Sequence, residues 1–196
     1  GRRDSFTRLQ GVGLYGEIPL GPVGSLSYQA AAGSNNPPED GGVAREFEAP
    51  GLFEVTDIDT KIVYNGSLAW HTPLEGLRVS ASGLKTTDLD AKMKTRVPLG
   101  PQIPAGVDIL LKADYWAEVF SVEYQKDRLT LAAEYMVDKT TENLVGVRPA
   151  SSFQSEGYYL KAAYRVTDWL QIGSYYSEFY PHKDDKDGDR FENDPI

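Results

Sequence analysis

LTLAAEYMV (129–137) and YYLKAAYR (158–165) decide the fold class. In the first, Leu129, Leu131, Ala133, Tyr135 and Val137 alternate with Thr130, Glu134 and Met136; in the second, Tyr158, Leu160, Ala162 and Tyr164 alternate with Lys161, Ala163 and Arg165. A period of two reads as a strand with one apolar face. The same period sets Ile62, Tyr64, Leu68 and Trp70 against Lys61, Asn65 and Ser67, and Leu77, Val79 and Ala81 against Arg78, Ser80 and Ser82. It also sets Leu26, Tyr28 and Ala30 against Ser25, Ser27 and Gln29. GVGLYGEI (11–18) keeps Val12, Leu14 and Ile18 in phase despite its glycines, and LQIGSYYSEF (170–179) keeps Leu170, Ile172 and Tyr176 together. Between Val107 and Gln125 the phase changes: Ile109 and Leu111 are odd-numbered, whereas Phe120, Val122 and Tyr124 are even. That change predicts a β-bulge near Tyr115–Ala117, or a strand that extends out of the sheet.

The connections are of two kinds. Short polar turns at 19–24, 72–76, 126–128 and 166–168 alternate with long charged or Pro/Gly-rich links at about 33–60, 84–106, 138–156 and 180–196. Hairpins at about 9–32, 61–83, 107–137 and 157–179 then recur at a spacing of roughly 50 residues. No capping box introduces a sustained helical period. The expectation is an all-β single domain, an antiparallel up-and-down meander of about eight strands. A β-propeller fits less well, because each repeat offers two clear strands where a blade needs four.

Composition narrows the function. The chain has 196 residues with 20 basic and 29 acidic side chains, a formal net charge of −9 that argues against a nucleic-acid partner. There is no cysteine, which excludes disulfides, thiolate metal sites and thiol nucleophiles. Its two histidines, His71 and His182, are far apart in sequence. No run of 18 apolar residues exists, so no transmembrane helix is encoded. A membrane β-barrel escapes that test, because each strand needs only about 9–11 residues with every second one apolar.

Two features favour such a barrel. Every tight turn falls on one edge of the meander and every long link on the other, the asymmetry of outer-membrane barrels. Trp70, Tyr124, Tyr164 and Trp169 gather near the turns, whereas Tyr28, Tyr135, Tyr158 and Tyr176 lie toward the long links, as two interfacial belts would. Opposite the apolar face stand Glu17, Lys61, Arg78, Glu123, Glu134, Lys161 and Arg165, which become pore-lining candidates. Fixed charges of both signs on a pore wall discriminate solutes electrostatically but leave the preferred sign open. Either link, 33–60 or 84–106, is able to fold inward.

GVGLYGE (11–17), GSLSYQAAAG (24–33) and DWLQIGSYYSEFYPHKDD (168–185) together resemble Gram-negative outer-membrane porins, in the broad group near the phosphate- and other substrate-selective porins. The resemblance is one of texture over most of the chain. It implies a passive diffusion channel in the outer membrane, commonly of about 16 strands, without cofactor or catalysis, with lipid and small hydrophilic solutes as partners and homo-oligomers as a further expectation. Such barrels close on a C-terminal strand ending in an aromatic residue, whereas this sequence ends FENDPI (191–196), and GRRDSFTRLQ (1–10) carries no hydrophobic signal core. The chain is therefore expected to be an internal fragment of a larger barrel. The rival expectation is a soluble β-sandwich or barrel module that binds carbohydrate through surface Tyr and Trp.

Other chemistries fail on spacing. Asp185, Asp187 and Asp189 match the first three ligands of an EF-hand, but Arg190 replaces the glycine and Ile196 the final glutamate, which leaves only loose calcium binding as a candidate. His71 and Ser67 lie four residues apart on a strand, ~13 Å, too far for a nucleophile–base pair. No helix follows the glycines of GVGLYGE to hold a phosphate. The pairs Asp88/Asp90 and Glu118/Glu123 do not converge as glycosidase carboxylates.

Overall fold

The structure, a computed structural model, describes residues 9–35, 37–38 and 40–186. Its strands are β1 (Gln10–Pro19), β2 (Ser25–Ser34), β3 (Phe53–His71), β4 (Leu77–Thr95), β5 (Asp108–Lys126), β6 (Leu129–Leu144), β7 (Arg148–Arg165) and β8 (Gln171–Tyr180). One short helix, α1 (Gly42–Glu48), interrupts the connection from β2 to β3. All eight strands form one sheet in chain order, and each neighbouring pair is antiparallel. The expected meander is there. The sheet is open, with β1 and β8 as its edges.

The strands run further than their clean alternation predicts. The links expected at about 33–60, 84–106 and 138–156 contract to 35–52, 96–107 and 145–147. The recovered pieces, such as EVTDIDT (54–60) and TTDLDAKMKT (86–95), are rich in Asp, Lys and Thr. Asp and Lys are poor strand formers, so these stretches resemble loop.

Directly paired residues share a face of the sheet. The front face carries the row Leu26, Trp70, Val79, Val122, Ala133, Leu160 and Tyr176, and the back face carries Ser27, Ala69, Ser80, Ser121, Glu134 and Tyr159. Near the turns the front is apolar and uncovered: Leu68 and Leu160 each keep 52% of their surface exposed. Beyond them the apolar residues change sides. Val55, Ile58, Ala91, Met93, Ile109 and Leu111 are buried together on the back face, under Val43, Ala44 and Phe47 of α1. The front there is charged, with Lys92 Nζ 2.8 Å from Asp57 and Lys112 Nζ 3.7 Å from Asp90.

This inversion corrects the expected bulge near Tyr115–Ala117. β5 pairs with β6 without a register shift from Leu111 to Lys126, and its odd residues stay on the back throughout. The irregularity lies in β4, between Thr86 and Leu89, where Asp88 has φ 52°. On β3 two successive exposed residues, Lys61 and Ile62, separate buried Thr60 from buried Val63. β5 keeps its geometry and changes only which face is apolar.

The tight turn after β3 needs a glycine. Gly76 has φ 85°, and a Cβ there would come within 2.0 Å of the Gln125 carbonyl oxygen. The core under α1 needs volume. Met93 is 2% exposed, and Met93→Ala should lower the unfolding free energy by about 2–5 kcal/mol, whereas Lys94→Ala on the opposite face should change it by less than about 0.5 kcal/mol. Urea unfolding followed by circular dichroism measures both; equal effects would place Met93 outside a packed core.

Candidate functional site

The polar half of the back face gathers most of the charged residues singled out in the sequence. One cross-strand row reads Ser25, His71, Arg78, Glu123, Ala132, Lys161 and Tyr175. The next, away from the turns, reads Glu17, Ser27, Ala69, Ser80, Ser121, Glu134, Tyr159 and Ser177. Arg165, at the turn end of β7, pairs with Gln171. Lys61 is exposed at the phase change on β3, apart from the other six. Serine and alanine fill most remaining positions of the two rows, so the charged groups stand above a floor of short side chains.

Three of the six charges on this face, Arg78, Glu123 and Glu134, have side-chain partners among the described residues. Arg78 Nη1 lies 3.2 Å from Glu123 Oε2, Ser121 Oγ donates to Glu134 Oε2 at 3.1 Å, and His71 Nε2 is 3.1 Å from Ser27 Oγ. His71 therefore meets a serine on the neighbouring strand, and Ser67 is no partner. A groove of about 500 Å³ opens over this region, lined by His71, Arg78, Glu123, Thr130, Tyr159 and Lys161.

The far half of the back face is closed by α1. Glu48 ties the helix down: its Oε1 accepts from the Val55 amide at 2.9 Å and lies 3.6 Å from Arg96 Nη2. Of the two links able to fold inward, the one between β2 and β3 lays a helix across the back face, and Leu99 of the other packs at the margin of the same cluster.

The front face has a sharp polar boundary. Tyr135 and Tyr158 pair directly across β6 and β7, and the rings of Tyr158 and Tyr176 sit 6.3 Å apart. Their hydroxyls are all engaged: Tyr135 donates to Glu156 at 2.8 Å, while Tyr158, Tyr176 and Tyr180 all donate to Glu178. Lys186 pairs with Glu156, whose carboxylate raises the lysine pKa, and stands 5.0 Å from the Tyr180 ring centroid. Near the turns, Trp70 Nε1 donates to the Val23 carbonyl at 2.9 Å, and Trp169 is 84% exposed. Tyr28 lies over Gly16, where a Cβ would meet its hydroxyl at 2.6 Å. That contact gives one glycine of GVGLYGE a packing role.

Sequence reading missed two features. Asp138 is buried on the back face with Oδ1 accepting from Ser155 at 2.7 Å and Oδ2 unbonded; it fell in a stretch read as loop. The Tyr/Glu cluster went unseen: Tyr135 reaches Glu156 and Tyr158 reaches Glu178 only through register, whereas Tyr176 and Tyr180 flank Glu178 at two residues on its own strand, a spacing that YYSEFY (175–180) already carries. Asp185 bonds within its own turn to the His182 carbonyl at 3.1 Å, while Asp187 and Asp189 lie outside the described residues. Among the described residues no group of three or more His, Asp or Glu could hold a metal ion.

No family model, curated protein or solved structure matches this chain.

The Arg78–Glu123 pair should organise the back face without holding the fold together. Both side chains are about half exposed, so water screens the attraction. A double-mutant cycle with Arg78→Ala and Glu123→Ala should give a coupling of no more than ~1 kcal/mol. A coupling near 3 kcal/mol would mean that the pair is desolvated, and so covered by something further.

Proposed function

We propose that this chain is a stretch of an outer-membrane β-barrel of the porin type, a passive channel for small hydrophilic solutes or ions. The front face meets lipid, the back face lines water, and no bond is made or broken. The observation that carries this reading is the inversion of the two faces. An apolar, uncovered front ends at a boundary of tyrosines and carboxylates, and beyond it the front is charged while the back is packed. A strand that leaves a bilayer for water needs that change, because its outer surroundings change from hydrocarbon to solvent.

The dimensions agree. The front positions of β3 from Ile62 to Trp70, and of β6 from Leu129 to Val137, carry no charge, while on β4 and β5 between them the uncharged front is shorter and ends at Lys85 and Glu118. Eight residue steps at ~3.3 Å reach ~26 Å along a strand, or ~20 Å of height at a tilt of about 40°. With the flanking aromatic residues this approaches the ~25 Å apolar band of outer-membrane barrels. In this reading α1 stands inside the outer mouth and narrows it. The free edges of β1 and β8 take further strands, either from a longer chain or from a second copy.

Refolding into lipid vesicles tests the assignment of faces. Leu160→Arg and Leu131→Arg at mid-strand should each cost roughly 2–4 kcal/mol of stability in the bilayer, whereas Ser80→Arg on the back face should cost far less. Stepwise conductance across a planar bilayer, from a version extended at both ends, would then read the channel itself. A chain that stays soluble and silent, with Leu160 protected from solvent in water, would sink this reading and favour the soluble binding module.

A further inference from the structure

Two cations of the polar back face have no side-chain hydrogen bond or ion pair among the described residues, Lys161 in the row of Arg78 and Glu123 and Arg165 at the turn end of β7. Lys161 stands where two hollows meet. The groove of about 500 Å³ described above and a second hollow of about 670 Å³ toward β8 share Tyr159 and Lys161 in their walls. Tyr159 lies two residues along the same face of β7, and Tyr175 is the direct cross-strand partner of Lys161. The second hollow also holds Gln171. Its floor is short: Ala163 and Gly173 pair directly, and a Cβ on Gly173 would lie 3.0 Å from the Ala163 Cβ.

We propose that Lys161, Tyr159 and Tyr175 form a binding site for a small organic monocarboxylate with a flat apolar body. The unpaired ammonium takes the carboxylate, and the two phenol rings offer flat apolar walls on either side of it. The low floor admits a planar group, and Gln171 supplies an amide for a second polar contact. The neighbourhood also sets the charge of the solute. Glu134 pairs with Tyr159 and so lies diagonally next to Lys161, and Glu123 stands two strands away in the row of Lys161. With Glu123 taken up by Arg78, Lys161 beside Glu134 tolerates a single negative charge better than a phosphate dianion; Arg165, four residues further along β7, stands opposite Gln171 at the far end of the second hollow. This deepens the channel reading, on which it rests for its physiological meaning, because the site lies on the face assigned to permeating solutes.

The test is direct binding to the full chain folded in detergent micelles, read by saturation-transfer NMR and tyrosine fluorescence at neutral pH. The probes are benzoate, its neutral analogue benzamide and inorganic phosphate. Benzoate should bind at least tenfold more tightly than either of the others. Lys161→Gln should remove that preference, Lys161→Arg should keep it, and Tyr159→Ala should weaken benzoate about tenfold while phosphate stays weak. Lys85→Gln, on the other face, should change nothing. Equal binding of benzoate and benzamide, a preference for phosphate, or an unaltered Lys161→Gln variant would each overturn the proposal. Binding in micelles requires no conductance, so a silent bilayer together with selective benzoate binding would reject the channel and leave the site standing.

Discussion

A sheet one layer thick must give its apolar face to something other than itself. That constraint governs this molecule, because near the turns no second sheet or helix among the described residues lies on Leu68, Val79, Val122 or Leu160. Each such side chain gains ~1.5–3 kcal/mol when it leaves water, so an uncovered face spanning eight strands forgoes more free energy than a domain's typical net stability of 5–15 kcal/mol. On the proposed reading hydrocarbon covers this face, which is apolar near the turns and bounded farther along by hydrogen-bonded tyrosines and by Lys85 and Glu118.

The two ends of the strands solve different problems with the same backbone. Near the turns, the back face carries Ser27, Ser80, Ser121, Arg78 and Glu123, which suit water and would make a poor core. Farther along, the back face carries Val55, Ala91, Met93 and Leu111 and is covered by α1, so the polar residues must move to the front. β3 and β4 accommodate the change with irregular backbone around Lys61 and Asp88. β5 accommodates it with sequence alone. The helix completes that arrangement, since without Ala44 and Phe47 the far cluster would lie open to solvent.

The alternation of apolar and polar residues made the meander legible, because its period survives wherever the front face is apolar. It also placed Glu17, Arg78, Glu123, Glu134, Lys161 and Arg165 on a common side from parity alone. What it hid follows from the inversion. In TTDLDAKMKT (86–95), Leu89, Ala91 and Met93 alternate as regularly as any strand, but Asp and Lys occupy the other positions and suggest a loop. In β5, two halves of opposite pattern look like a slipped strand until pairing shows that the backbone never slips. Pairing was the missing information in both cases. Lys161 illustrates the same limit for the candidate site, because its isolation depends on Arg78 having Glu123 and on Tyr175 standing opposite, neither of which is written near Lys161 in the chain.

The open edges and the apolar front constrain each other. β1 and β8 each present a row of backbone groups along ten residues with no strand of the described residues beside them. In water such an edge is hydrated and costs little, though it invites pairing with other strands. In hydrocarbon each unpaired amide or carbonyl costs several kcal/mol, and only closure removes that cost. The two properties of the sheet therefore bear on each other. If the front face is placed in lipid, both edges must be paired with strands of the same height. Edges left free would require the sheet to stay in water, where its apolar face would need a different cover. Val12 and Leu14 on β1, and Ile172 and Tyr176 on β8, continue the apolar front right up to both edges. On the proposed reading, strands of the same two-faced pattern would continue that front at both edges.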